Sequence, residues 1–325
     1  MIISNSFQQI QPAQNTAIAL GLFDGVHKGH QKVIWEAVRF ASQGLAPSVF
    51  TYSIHGHTPK AKKNFAQIMG DDEKLQVLQR MGVEYVLQPP FEEFCNVSPQ
   101  DFAQKLLVEQ MRAKAVCCGE DFRFGRNAAG TVQDLKTFLE PFGVQVTIVK
   151  PELLKGKVIS STNVRACIKE GKMDAAQELL GRYYSINFPV EQGRQLGRQL
   201  HFPTINQKYP PGYVVPCYGV YVSVTKVGEK LYPSISNVGV KPTVGASGPL
   251  SETFILNFAG DLYGQKIQVW FCEFIRGECK FSSIGQLQEQ IAMDTAKAVE
   301  RGPYYAQRLA GEPSFAVSPW HKEKI

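Results

Sequence analysis

Several common sequence features are missing from this 325-residue chain. Its seven cysteines form no CxxC pair and no paired zinc spacing, so we expect reduced, buried thiols. No apolar run approaches the roughly 20 residues that cross a bilayer, and no basic, apolar leader opens the sequence. These absences predict a cytoplasmic protein that does not bind membranes.

Blocks of like charge are missing too. The chain has 35 basic and 29 acidic side chains, a formal charge of +6, without the Lys/Arg runs of a nucleic-acid-binding tail. A mild basic excess suits ligands that carry phosphate. We therefore expect small phosphorylated molecules, and no nucleic acid, as partners; the sequence leaves the oligomeric state unknown.

The chain is long enough for two domains, and its two halves differ in pattern. With 44% hydrophobic residues it can bury a large core. In the first half, short apolar runs predict strands over 17–21, 46–52, 83–88, 113–118 and 145–149. Helical patterns lie between them: one ends near Gly44, one begins at Ser98-Pro99, and one begins at Thr131 and ends at Gly143. This alternation predicts an α/β domain, a doubly wound, Rossmann-like parallel sheet, over 1–182.

The second half lacks helical patterns between its strands. Apolar runs over 218–227, 232–238, 252–258 and 265–276 are separated by Gly, Pro and Asn, which predicts an antiparallel barrel or sandwich. An amphipathic helix over about 283–301 follows, and residues 302–325 show little pattern. We predict a second domain over 183–310, a β-barrel with a C-terminal helix, and a tail of unknown structure over 311–325.

Residues 21–30, GLFDGVHKGH, follow the first predicted strand and open a helix. A helix N-terminus at the carboxyl edge of a parallel sheet favours anion binding, and His27 and His30, three residues apart, can share a face. A zinc site is an alternative, but His55 and His57 in the next loop make no convincing third ligand. Two exposed polar side chains at a helix start are the other alternative.

Residues 159–165, ISSTNVR, predict a second helix start that carries hydroxyls and a cation. Taken alone, this is an ordinary Ser/Thr cap. With the first stretch it resembles the nucleotidyltransferases, in which a His-x-x-His type motif and a Ser/Thr-rich helix start grip ATP. Residues 119–130, GEDFRFGRNAAG, narrow the resemblance to the FMN adenylyltransferase module of bacterial bifunctional riboflavin kinase/FAD synthetases.

The second half is similar to the riboflavin kinase module of the same family. GRQLGRQLHFPTIN (193–206), NVGVKPTVG (from 237), SETFILNF (from 251), GDLYGQKI (from 260) and KFSS (from 280) follow in the family's order. The resemblance therefore extends to about residue 300. It implies that the chain phosphorylates riboflavin to FMN and adenylylates FMN to FAD, with ATP as co-substrate and Mg²⁺ as cofactor.

For the first module the resemblance implies residues that hold ATP and flavin. These are Gly21, Phe23, Asp24, Gly25, His27, His30, Asp121, Phe124, Arg126, Ser161, Thr162 and Arg165. The FMN phosphate is already anionic near neutral pH, because the second pKa of a phosphomonoester is about 6. Transfer then needs charge stabilisation and alignment rather than a general base, which makes His27, His30 and Arg165 the catalytic candidates. For Asp24 we favour a structural role in an Asp-Gly turn, and for Phe124 a core position is an equal alternative to contact with flavin.

For the second module the resemblance implies a base, because the ribityl hydroxyl of riboflavin is a neutral nucleophile. Glu252 matches the family's carboxylate, and a surface strand residue paired with Lys is the alternative. Thr204 and Asn206 match the residues that hold Mg²⁺ and the ATP phosphates, since oxygen donors suit that hard ion. The remaining ligand-binding candidates are Gly193, Gly197, Arg198, Asn237, Gly239 and Lys241.

The chain departs from the family pattern at several positions. Leu22, the stretch TYSIHGHTP (51–59), His201, Ile205, Phe254 and Asn257 replace usual family residues. We expect Leu22 and the 51–59 stretch to alter how adenine or flavin is held, and His201 to alter the kinase's rate and substrate preference. Two other functions therefore stay open: a single-activity FMN adenylyltransferase with a structural second domain, and a non-catalytic flavin-binding regulatory protein.

Overall fold

The computed structural model describes residues 1–6, 11–53, 65–193, 202–240 and 248–311. These residues form two compact units. Met1–Phe65 and Asp71–Ser160 belong to the first, whereas Ala66–Gly70 and the described residues from Ser161 onward belong to the second. The helices that follow Ser160 are thus counted with the second unit. The predicted boundary near residue 182 concerns which residues serve each reaction, and it stays a prediction.

The first unit contains a parallel sheet, as predicted. Its order is β1-β4-β3-β2-β5-β6, with six strands within the described ranges. Their bounds are β1 (Ile2–Ser4), β2 (Thr16–Leu20), β3 (Ala46–Phe50), β4 (Tyr85–Leu87), β5 (Ala113–Gly119) and β6 (Gln145–Val149). Every residue of β2, β3 and β4 is buried, since helices cover both faces of such a sheet. The short β1 is paired with β4 and was not expected from the sequence.

Helices connect these strands. They are α1 (Lys28–Arg39), α2 (Asp71–Arg80), α3 (Phe91–Phe94), α4 (Pro99–Asp101, continuing as a π-helix over Phe102–Gln110) and α5 (Val132–Leu139). A small hairpin, β7 (Leu153–Leu154) and β8 (Lys157–Val158), follows β6.

The predicted helix boundaries in this unit agree with the hydrogen bonds at the helix ends. Ser98 Oγ accepts from Asp101 N at 3.0 Å and begins α4. Thr131 and Asp134 form a reciprocal capping box at the start of α5. The 3-10 turn after α1 ends at Gly44, whose φ of 77° is left-handed. The sequence therefore contained the stop and start signals that these helices use.

The second unit contains an antiparallel sheet followed by a long helix. The chain runs α6 (Ser161–Lys169), α7 (Met173–Leu180), β9 (Tyr184–Pro189), β10 (Thr204–Lys208), β11 (Gly219–Val227), β12 (Lys230–Val240), β13 (Pro249–Ile255), β14 (Lys266–Gly277) and α8 (Ile284–Ala310). The strand order is β10-β13-β12-β11-β14-β9. Glu191 N, just past β9, donates to Asn206 O on β10 at 2.8 Å, which joins the two edges of the sheet. This confirms the predicted antiparallel barrel with a terminal helix.

Strands β11, β12 and β13 present two different faces because successive side chains alternate. One face carries a fully buried set of hydroxyls, the hydroxyl ladder: Ser223, Thr225, Ser234, Ser236, Ser251 and Thr253. Ser236 Oγ lies 2.8 Å from Ser223 Oγ and 2.7 Å from Thr253 Oγ1, so the hydroxyls satisfy one another. The opposite face carries the candidate site residues Asn237 and Glu252.

Helix α8 is longer than the sequence predicted. Ser283 caps its start by accepting from Gln286 N at 3.2 Å, but the helix continues past 301 through Gly302 and Pro303. A Gly-Pro pair normally ends a helix. Here Gly302 packs on β12, where a Cβ would lie 2.5 Å from the Pro233 Cβ. None of the helices within the described ranges is both long and apolar enough to cross a membrane.

Candidate functional sites

The residues between β2 and α1, 21–27, form a tight buried turn that we call the cradle turn. Its backbone is strained: φ is 53° at Phe23, 77° at Gly25 and 34° at Val26. Val26 N donates to Phe23 O at 3.1 Å, and Asp24 is buried. The buried ring of Phe23 lies beneath Gly21, where a Cβ would come within 2.8 Å of it. The turn therefore needs Gly at 21 for space and at 25 for its left-handed backbone.

The two histidines occupy the first turn of α1. His27 is the N-cap, and its Nδ1 accepts from His30 N at 3.2 Å. A neutral His27 then carries its proton on Nε2, which makes that atom a donor. The rings stack with centroids 3.6 Å apart, and Gly29 leaves room for the His27 ring. The structure thus brings both imidazoles to one face of a helix N-terminus, as the spacing predicted.

Zinc binding by this pair gains no support from the neighbouring side chains. Among the described residues, no group of three or more His, Cys, Asp or Glu is placed to hold a metal ion. His55 and His57 lie outside the described residues.

The cradle turn and the Asp121 stretch follow neighbouring strands. The turn follows β2 and Asp121 follows β5, and these strands pair in register with Ala19 opposite Cys117. Strand order reverses between them, because β3 and β4 lie on one side and β6 on the other. Ligands of open α/β sheets bind at such a switch point. The fold therefore places both predicted stretches at one edge of the first unit.

The side chains of the Asp121 stretch differ in exposure. Asp121 and Arg126 are exposed, and Arg126 N donates to Val97 O at 2.7 Å. Phe124 is only 4% exposed and packs against Phe102 in a hydrophobic core cluster of the first unit. Of the two roles open for Phe124, the structure shows the core position, and its contact with flavin stays a prediction.

The second predicted helix start is the beginning of α6. Ser161 is half-buried and Thr162 is exposed, and the Arg165 Nε donates to Ala66 O at 2.5 Å. These residues belong to the second compact unit, whereas the histidines belong to the first. That the start of α6 and the two histidines bind the same ATP molecule stays a prediction.

Three kinase candidates form a row across the barrel. Asn206 on β10 is opposite Glu252 on β13, and Glu252 is opposite Asn237 on β12. Thr204 is opposite Phe254, two residues from Glu252 on the same face. The register therefore gathers hydroxyl, amide and carboxylate groups from three adjacent strands.

This row borders a cavity of about 280 Å³. Thr204, Asn237 and Glu252 line it, together with apolar side chains from the barrel and from α8. Its full lining is Phe202, Thr204, Val220, Ile235, Asn237, Glu252, Phe254, Arg276, Glu278, Cys279, Phe281, Leu287, Ile291 and Asp294. An apolar pocket with a few convergent polar groups is the usual form of a small-molecule site.

Sequence reasoning missed the ion pair in the wall of this cavity. Arg276 binds Asp294 on α8 through two nitrogens, Nε at 2.9 Å and a terminal nitrogen at 2.6 Å from Oδ2. Gln290 Nε2 donates to the other carboxylate oxygen at 3.0 Å. Asp294 is 2% exposed, so the pair anchors α8 to the end of β14. The sequence signal that could have indicated the ion pair is the position of Asp294 on the apolar face of an amphipathic helix, where a carboxylate needs a partner.

The glycine candidates of the second unit make room for polar side chains. A Cβ at Gly193 would lie 2.5 Å from Asn206 Nδ2, and one at Gly239 would overlap the Glu278 carboxylate. Substitution at either position would displace a group of the site. Gly197, Arg198, Lys241 and His201 lie outside the described residues.

The donor set at β10 fits a hard cation. Within the described part of the chain, Asn206 Oδ1 is a buried oxygen with no hydrogen-bond partner. Thr204, two residues away on the same strand face, adds a hydroxyl oxygen. Oxygen ligands of this kind suit Mg²⁺.

Comparison with known proteins agrees with this architecture. The FAD synthetase family model matches residues 9–163, and the riboflavin kinase family model matches residues 180–301. The bifunctional riboflavin kinase/FMN adenylyltransferase of Escherichia coli K12 is 34% identical over 296 residues, covering 89% of this chain and 93% of that protein. The Listeria monocytogenes protein of the same name is 32% identical, covering 86% and 90%.

A solved structure has a similar fold over most of the chain. It is described as a macrolide-efflux protein from Streptococcus pneumoniae, with a TM-score of 0.80 and 29% identity over 91% of this chain and 97% of that chain. The fold, the sites and the matched models define a transferase with two modules. The chain belongs to the bifunctional riboflavin kinase/FMN adenylyltransferase family.

Proposed function

We propose that this chain makes FAD from riboflavin in two steps, phosphorylation to FMN and adenylylation of FMN. The observation that carries the proposal is that two family models match separate parts of the chain, FAD synthetase over residues 9–163 and riboflavin kinase over residues 180–301. We assign adenylylation to residues 1–182 and phosphorylation to 183–310. We also propose that the protein works in the cytoplasm.

In the kinase step, Glu252 acts as the general base. Its carboxylate accepts the proton of the ribityl hydroxyl as that oxygen attacks the γ-phosphorus of ATP, the bond to the β-phosphate oxygen breaks, and ADP leaves. Asn237 lies beside Glu252 in the same row and orients the polar end of the substrate. The apolar walls of the cavity exclude water from the reacting groups.

Thr204 Oγ1 and Asn206 Oδ1 would hold Mg²⁺, and we propose that they also meet the ATP phosphates. When bound, the ion neutralises charge on the phosphate oxygens. Gly193 and Gly239 leave the space that these side chains and Glu278 require. Gly197, Arg198 and Lys241 complete the proposed binding set.

In the adenylylation step no base is needed, because an FMN phosphate oxygen is already an anion when it attacks the α-phosphorus of ATP. The bond to the β-phosphate oxygen breaks and pyrophosphate leaves. His27, His30 and the amides at the start of α1 stabilise the charge that develops. We propose that Arg165, Ser161 and Thr162 bind the ATP phosphates and that Asp121, Phe124 and Arg126 bind the flavin.

The test is an assay of purified protein that resolves the two products by chromatography. Riboflavin with ATP and Mg²⁺ should give FMN and then FAD, and FMN supplied in place of riboflavin should give FAD. EDTA should stop both reactions, and added Mg²⁺ should restore them. FAD from FMN without FMN from riboflavin would identify a single-activity transferase, and flavin binding without either product a regulatory protein.

A further inference from the structure

Helix α2 carries a buried lysine that neither proposed reaction uses. The Lys74 side chain is 5% exposed, and its Nζ lies 3.2 Å from Asp71 Oδ1. Removing an ammonium group from water is unfavourable unless hydrogen-bond partners and an opposite charge compensate for the lost hydration. A second contact therefore matters: Nζ lies 3.4 Å from Thr51 Oγ1.

Thr51 connects this lysine to the cradle turn. It follows β3 directly, and its N donates to Leu87 O at 2.9 Å, which holds it at the sheet edge. An ammonium group can only donate, so the Thr51 hydroxyl accepts from Lys74 and turns its own proton elsewhere. That proton goes to Leu22 O, 2.8 Å away. Lys74 thus orients the donor that holds the Leu22 carbonyl.

Leu22 is the point where the chain enters the strained part of the cradle turn. Phe23 and Val26, on either side of Asp24 and Gly25, have positive φ values that ordinary residues rarely adopt. Such a backbone persists only where its surroundings hold it. The Thr51 hydrogen bond is one such restraint, and the turn leads straight into the His27 cap.

We propose that Lys74 is a positioning residue for adenylyl transfer, acting through Thr51 on the cradle turn. Lys74 and Thr51 touch neither nucleotide nor flavin in this proposal; they set the placement of His27 and of the helix N-terminus. The inference rests on the proposed function. Because alignment acts on the transition state, losing the restraint lowers kcat for FAD formation more than it raises KM.

Matched variants test the two contacts that connect Lys74 to the cradle turn, from Lys74 to Thr51 and from Thr51 to Leu22. Thr51→Val removes the hydroxyl at nearly constant volume, whereas Thr51→Ser keeps it. Lys74→Met removes the ammonium group. Lys105→Met is the control for that substitution, because Lys105 also pairs with an aspartate, Asp101 at 2.8 Å, but is 67% exposed.

We expect Thr51→Val and Lys74→Met each to lower kcat for FMN adenylylation by about 10- to 100-fold, the usual effect of misaligned groups. KM for FMN and ATP should stay within about twofold, and phosphorylation of riboflavin should be unchanged. Thr51→Ser and Lys105→Met should retain wild-type rates. The double variant should be within about twofold of the slower single variant, because both changes break one path.

Rates are normalised to the folded fraction of each variant, so that loss of stability is counted separately. A wild-type rate of FAD formation by folded Thr51→Val overturns the inference. It is also overturned if the double variant's loss of kcat equals the product of the two single losses, or if the rates of adenylylation and phosphorylation fall equally. Thr51→Val gives this answer even if Lys74→Met does not fold. A wild-type protein that makes no FAD overturns the proposed function as well, whereas unaffected variants of an active wild type overturn this inference alone.

Discussion

In the proposed kinase step, Glu252 is the general base. Glu252→Gln keeps the size of the side chain but cannot accept the hydroxyl proton. We expect binding of riboflavin and ATP to be nearly unchanged and turnover to FMN to fall by ~10²–10⁴-fold. Steady-state kinetics with riboflavin measure the fall, and titration of flavin fluorescence measures the binding.

A second variant distinguishes the effect of losing a Mg²⁺ ligand, Thr204, from the effect of losing the general base, Glu252. Thr204→Ala should weaken nucleotide and Mg²⁺ binding as well as rate, because it removes an oxygen donor from the cavity wall. FMN supplied to Glu252→Gln should still become FAD. Wild-type FMN formation by Glu252→Gln would mean that alignment and metal charge suffice without this base.

In the proposed adenylylation step, His27 is a residue that stabilises charge on the phosphates. His27→Ala removes the N-cap acceptor of α1 and the proposed donor to the phosphates. We expect FAD formation to be lost while FMN formation from riboflavin persists, as measured by the product-resolved assay. Normal FAD formation in this variant would refute the role of the cradle turn, and loss of both products in a folded variant would refute the independence of the two reactions.

The individual site residues were predictable where a short motif contains them. Glu252, Thr204 and Asn237 were identified from family motifs, and the structure brings them to one cavity. Lys74 and Asp294 were not, because a charged side chain at helical spacing looks the same in sequence whether it is buried or solvated. Each has a partner on another element: Thr51, which follows β3, for Lys74, and Arg276 on β14 for Asp294.

At the scale of elements, the hydroxyl ladder stabilises the barrel through bonds between strands. Ser236→Ala removes a hydroxyl that contacts both Ser223 and Thr253, and leaves the fully buried Ser223 without this partner. We expect a loss of about 1–3 kcal/mol in the free energy of unfolding of this unit. Chemical denaturation monitored by circular dichroism measures it.

Ser42→Ala is the control, because Ser42 Oγ also makes one short hydrogen bond, to Arg39 O, but in an exposed position. We expect a change within about 0.5 kcal/mol there. An equally small change for Ser236→Ala would show that the ladder contributes nothing beyond volume.

Elements with strong local signals were predicted, and elements defined by distant partners were not. The start of α5 was correct because the capping box is contained within four residues. Strand β10, TINQK, escaped detection because it lacks an apolar pattern: its Gln207 is fully buried and donates to two backbone carbonyls, Phe188 O and Ile267 O. The end of α8 was missed because Pro233, which accommodates Gly302, lies some 70 residues earlier in the sequence.

At the scale of the whole molecule, we expect that two variant proteins, each lacking one of the two reactions, can together carry out both. A mixture of Glu252→Gln and His27→Ala should convert riboflavin to FAD, because the second variant makes FMN and the first consumes it. FMN must pass through solution, so FAD should appear after a lag that shortens as protein concentration rises. Time courses of both products measure this.

Each variant alone is the control: His27→Ala should form no FAD from riboflavin, and Glu252→Gln should form it at least ~10²-fold more slowly than the wild type. The mixture could make FMN but no FAD, although Glu252→Gln alone still adenylylates an excess of added FMN. The FMN that His27→Ala releases would then not reach, in solution, the concentration that adenylylation by Glu252→Gln needs. That outcome would contradict free exchange of the intermediate.

The alternation along β13 also limits how this gene can change. Ser251 and Thr253 face the hydroxyl ladder, and Glu252 and Phe254 face the cavity. Gain or loss of one codon within the strand would invert every side chain beyond it, placing a carboxylate among the hydroxyls and a serine at the proton-accepting position. We therefore expect insertions and deletions to be tolerated only in the connections between strands.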